Sequence, residues 1–156
     1  MPNGLLRPIL LATLVAGTLD ILAAVGLTLF YAGDPMNMLR GVASGPIPGA
    51  TQWGSAGSVL GLAVHFALMA IMVTVYMIAA DRRPMLRSKP LQWGVIYGLI
   101  TYVVMNLIVV PLRFPAAFPP SPRGVATQLF CHIVLVGIPI AWIAARHFRT
   151  RSAFAT

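Results

Sequence analysis

Apolar residues in this chain fall into long, nearly unbroken runs, not the alternating or 3.6-residue patterns of half-buried strands and helices. Four runs stand out: about Pro8 to Tyr31, Gly57 to Ala80, Leu91 to Leu112 and Val125 to Ala145. Crossing a hydrocarbon core of about 30 Å takes about 20 residues of helix, so each run is long enough to span a bilayer. Within the bilayer a backbone must satisfy its own N–H and C=O groups, and a helix does so. The pattern predicts an all-α membrane protein: a four-transmembrane-helix bundle forming a single domain over residues 1–156. A signal peptide is the rival reading of the first run, but the run is too long for one and holds Asp20 near its middle.

The segments between the runs have different characters. "DRRPMLRSKP" (81–90) is short and stiffened by Pro84 and Pro90, so spans two and three are expected to be antiparallel neighbours. In the first outer loop, Asp34 followed by Pro35 reads as an N-cap and first helical position. Met36, Leu39 and Val42 then share one side of a short interfacial helix, expected to lie on the membrane surface. "GPIPG" (45–49) ends that helix. The second outer loop, "RFPAAFPPSPRG" (113–124), is proline-dense and predicts an extended, rigid connection.

Composition agrees with the spans. Apolar residues make up 58% of the chain and charged residues 9%, against about 25% charged in soluble domains. The formal net charge of +8 sits beside the apolar runs and not on a soluble module, which argues for lipid contact and orientation and against nucleic acid. One side carries Arg7, Arg82, Arg83, Arg87, Lys89, Arg146, Arg149 and Arg151; the other carries Arg40, Arg113 and Arg123. Positive residues favour the cytoplasm, so both termini are expected there. Trp93, Trp142 and Tyr31 fall near span ends, where amphipathic rings prefer the headgroup region.

The chemistry within the spans is sparse. Asp20, His65, Asn106 and His132 are the candidate intramembrane polar cluster. His65 lies roughly 12 Å inside the outer end of span two, Asn106 roughly 9 Å inside that of span three and His132 roughly 10 Å inside that of span four. Asp20 is deeper, near mid-span. Small residues lie on the same helical rows: Gly61 and Gly57 one and two turns before His65, Gly98 and Gly94 two and three turns before Asn106, and Gly17 three residues before Asp20. Such rows let transmembrane backbones approach closely, which predicts that the polar groups face the bundle interior. Cys131, the single cysteine, excludes an internal disulfide and reads as a buried thiol. Ser58 reads as a helix-end hydroxyl, and no nucleophile elbow, P-loop or paired-carboxylate motif points to an enzyme.

The stretches "VHFALMAIMVTVYMIAADRRP", "LQWGVIYGLITYVVMNLIVVPL" and "CHIVLVGIPIAWIAAR" resemble the YagU-like family of small bacterial inner-membrane proteins. The likeness rests on helix lengths, a histidine in two spans and a proline-rich outer loop. The first outer loop departs from the family pattern, and Asn106 stands where a histidine is expected. The resemblance implies a bacterial inner-membrane address and no particular reaction.

Three readings of the cluster follow. In the first, the polar groups hydrogen-bond across helices and fix the packing of a non-enzymatic protein. Such a protein acts as a homo-oligomer, as an accessory subunit of a larger complex or by binding a partner, and carries no cofactor. In the second, an aspartate and two histidines form a proton- or ion-responsive site. In the third, His65 and His132 are axial ligands of a b-type haem or ligands of a metal. A carboxylate at mid-bilayer costs about 2.5–3.5 kcal/mol on the insertion scale, so Asp20 is expected to be protonated or paired, with His65 or a helix dipole.

Overall fold

Each apolar run becomes one long helix, because in hydrocarbon no other arrangement pairs the backbone within a segment. The computed structural model describes residues 4–153, with side chains through Thr150. The three residues at each terminus, and the side chain of Arg151, lie outside those described. Span one is Leu6–Phe30, span two Gly54–Arg82, span three Pro90–Arg113 and span four Pro122–Thr150. No strand occurs among the described residues. The surface is apolar: Leu10, Leu14, Leu22, Val59, Ile71, Leu107 and Trp142 all face outward. A chain surrounded by lipid has no reason to hide such groups.

The core is concentrated toward the basic end of the bundle. There Leu5, just before span one, and Ile9, Ala12 and Ala16 within it meet Met69, Val73 and Met77 of span two and Val136, Ile140, Ala144 and Phe148 of span four. Trp93 packs half-buried against this core, while Trp142 and Tyr31 remain exposed. The connection after span two makes a single turn, Met85–Ser88. Its Arg87 donates to the Asp81 carbonyl at 2.6 Å and lies 4.0 Å over the Phe148 ring. One cation thus caps the C-terminus of span two and ties it to span four.

The helices pack in the order three, four, one, two, leaving a seam between spans two and three. Spans three and four are the closest pair, with Gly94 and Gly98 set directly against Gly137, Ile133 and Ile138. Spans two and three, expected as antiparallel neighbours, do face each other across this seam, but without close backbone packing. Their hairpin is antiparallel, but the glycine face of span three turns to span four. Across the seam two tyrosines act as spacers. The Tyr97 hydroxyl donates to the Met72 carbonyl at 2.6 Å, and its ring lies 4.9 Å from that of Tyr76.

Two departures from regular α-helix were not predicted. Residues Val103–Val109 of span three and Cys131–Gly137 of span four wind as π-helix. Each segment ends two residues before a proline, Pro111 and Pro139. A proline ring inside a helix clashes with the carbonyl four residues earlier, and a widened turn gives that carbonyl room.

The short helix Pro35–Ala43 is capped by Asp34, whose side chain accepts from the Met36 N–H at 2.8 Å. It packs along the first turns of span two, where Gly61 faces the Leu39 backbone and Gly57 faces Ala50 and Arg40. The Gly57–Gly61 row therefore receives this loop helix and not another span. Ser58, on the same face, is buried and donates to the Met36 carbonyl at 3.0 Å. Ser58→Ala is expected to loosen the loop helix by about 1 kcal/mol or less, visible as faster amide exchange from Met36 to Ala43 with the spans unchanged. In the second outer loop, Pro115–Ala117 forms a 3-10 turn and the Phe118–Pro119 peptide is cis.

Candidate functional site

Two of the expected polar residues meet across spans one and two. Phe66 packs over Gly17, where any Cβ would fall 2.7 Å from its ring. Beside it, the His65 Nε2 lies 2.9 Å from the Gly17 carbonyl oxygen. A carbonyl only accepts, so Nε2 carries the hydrogen and donates it. The other ring nitrogen, Nδ1, is left 4.0 Å from Asp20 Oδ2. Phe66 stands edge-on to the imidazole at 5.2 Å, giving the pair an apolar wall. Both side chains are largely shielded, with 11% of His65 and 21% of Asp20 exposed.

This geometry limits the charge states of the pair. With Nε2–H fixed, a neutral His65 presents a bare lone pair to Asp20, and an ionised Asp20 presents another. Two acceptors facing each other are unfavourable in a low-dielectric setting. Adding one proton, on Nδ1 or on the carboxyl, turns the contact into an attractive one. Asp20 and His65 thus form a largely shielded carboxyl–imidazole pair across spans one and two.

His132 completes the group without bridging helices. It sits in the π-helical part of span four, and its Nδ1 donates to the Gln128 carbonyl of the same helix at 2.9 Å. Its Nε2 is thus the acceptor nitrogen of the neutral ring. Tyr102 of span three stands edge-on to the ring at 6.0 Å. Asp20 interacts electrostatically with both imidazoles, more strongly with His65. Asp20 also acts on buried Cys131, adjacent to His132.

Asn106 is not drawn into this group. It is half-buried within the widened segment of span three. Among the described residues, no hydrogen bond, ion pair or ring contact ties it to Asp20, His65 or His132. Asn106 lies where span three winds as π-helix, so the row extrapolated at four residues per turn from Gly94 and Gly98 does not carry through to it unchanged.

The arrangement suits bis-histidine haem ligation poorly. His132 offers a free Nε2, but that of His65 is committed to the Gly17 carbonyl and its Nδ1 faces Asp20. Among the described residues no three His, Cys, Asp or Glu side chains are grouped as a metal ion would require.

Sequence reasoning missed the Gly17 carbonyl as a partner, the Tyr102 ring and the tether of Arg113 to the first outer loop. For the first, the small residue three positions before Asp20 was the available signal. For the others no local signal exists, because both contacts depend on how the spans are arranged. No family model, curated protein or solved structure was found to match this chain.

Proposed function

We propose that this multi-pass membrane protein is a proton-responsive bundle in which Asp20 and His65 share one proton and thereby set how firmly spans one and two are held together. The observation that carries the reading is the His65 ring orientation: Nε2 donates to Gly17 while Nδ1 is aimed at Asp20. Nearby His132, with an unprotonated Nε2, is a second proton acceptor within electrostatic reach. A bacterial inner-membrane address with cytoplasmic termini is part of the proposal. It is supported by the unequal distribution of Lys and Arg between the two ends and by the resemblance described above.

A structural role is the second reading, favoured by the same His65–Gly17 bond, which joins two spans directly. Association with a partner gains less support, because Gly57, Gly61, Gly94 and Gly98 are covered within the chain. A partner would have to use the exposed apolar surface.

Infrared difference spectroscopy of the protein in nanodiscs between about pH 4 and 8, where carboxyl and imidazole groups titrate, separates the two readings. The expected result is a protonated-carboxyl band that changes with pH, disappears in Asp20→Asn and shifts its midpoint in His65→Gln. A carboxyl band that stays constant over the whole range, with both variants altering only thermal stability, would leave the structural role alone.

A further inference from the structure

The seam between spans two and three opens into a groove in the half of the bundle away from the basic end. Its volume is about 730 Å³, within the range of about 300–1,000 Å³ typical of small-molecule sites. One wall is span two, through Leu68 and Ile71; the other is the end of span three, through Met105 and Val109. The loop helix roofs it with Met38 and Val42. Ile71 and Val109 are 60% and 41% exposed, so the groove opens sideways, toward the surrounding hydrocarbon.

One cation stands at the groove, Arg113. Its Nε donates to the Gly45 carbonyl at 2.7 Å and its Nη2 to the Ser44 carbonyl at 2.9 Å. A guanidinium has five N–H donors, so these bonds orient the group and leave others available. Among the described residues no carboxylate pairs with it. Asp34 pairs with Arg40 and Asp20 faces His65, while Asp81 stands at the opposite end of span two. Arg113 is also the last residue of a 24-residue span. At roughly 36 Å of helix against a core of about 30 Å, it sits at the depth of lipid phosphates.

We propose that this groove is a specific lipid site, taking an acyl chain of an anionic glycerophospholipid whose phosphate group is held by Arg113. An apolar trough open to the leaflet matches the chain, and an oriented, unneutralised guanidinium matches a phosphate. A zwitterionic lipid brings its own cation and gains less from Arg113. The site is independent of the Asp20–His65 pair.

The test is native mass spectrometry of the whole protein released from nanodiscs containing equal phosphatidylglycerol and phosphatidylcholine. One phosphatidylglycerol is expected to remain bound preferentially. Arg113→Gln is expected to weaken its retention about tenfold, while Arg123→Gln, on the same side of the membrane, leaves it unchanged. Because Arg113 also tethers the outer loop, a second variant, Ala67→Phe, fills the groove from an exposed lining position and is expected to displace the lipid without disturbing that tether. Equal retention of the two lipids by the native chain, or retention that survives both Arg113→Gln and Ala67→Phe, would overturn the proposal.

Discussion

Leucine at position 98 is expected to keep spans three and four from closing. A Cβ on Gly98 would fall 2.5 Å from the Ile133 Cα and 2.9 Å from the His132 carbonyl carbon. Both are backbone atoms and cannot swing aside as the tip of a side chain can. The opposing glycine gives no relief, because a Cβ on Gly137 would lie 2.7 Å from the Gly98 nitrogen. Inserting bulk into a close-packed interior typically costs about 1–3 kcal/mol, and here a whole helix must retreat, so the upper end applies. In detergent, Gly98→Leu should lower the unfolding temperature by roughly 6–12 °C. Gly26→Leu is the control, since nothing lies within 4 Å of the Cβ it would add; it should stay within about 0.5 kcal/mol of the parent. Equal melting of the two variants would show that the glycine face is no contact at all.

Gly61→Leu should be equally disruptive in a different place. The added Cβ would coincide with the Leu39 backbone, its carbonyl carbon only 2.6 Å away, so the loop helix cannot remain on span two. The Ser58–Met36 bond goes with it. The bundle itself does not use this contact: its core lies toward the other end, among Ala12, Val73, Ile140 and their neighbours. Amide hydrogen exchange should therefore show protection lost from Met38 to Ala43 and kept in the core of spans one, two and four. Loss of protection throughout the chain would mean that the loop helix is integral to the bundle.

These two glycines also mark where the sequence was legible. Span number and limits were readable because hydrophobicity is a local sum; span one, expected at Pro8 to Tyr31, is Leu6–Phe30. That small-residue rows are contact faces was readable too. What each row contacts was not, since a glycine row accepts any backbone that reaches it. Gly94 and Gly98 meet another span, whereas Gly57 and Gly61 meet the loop helix. The Asp20–His65 encounter was legible from cost, because a mid-bilayer carboxylate demands a partner. The place of Asn106 was not, because the π-helical turns near Pro111 and Pro139 rotate side chains away from where α-helical spacing puts them. Those two prolines were the only hint, and a proline does not say whether it will kink or widen a helix.

The division of contacts along the chain has a consequence for biogenesis. His65 meets Gly17, Phe66 covers Gly17 and Ser58 holds Met36, all using residues before Arg83. The glycine contacts of spans three and four use only residues after Lys89. These local contacts divide the chain into two hairpins, each of which holds its own pair of helices by contacts within its own half. The core that joins them, Ala12 and Val73 against Ile140 and Phe148, closes only when span four is in place, so the last span to be made completes the burial begun by the first two.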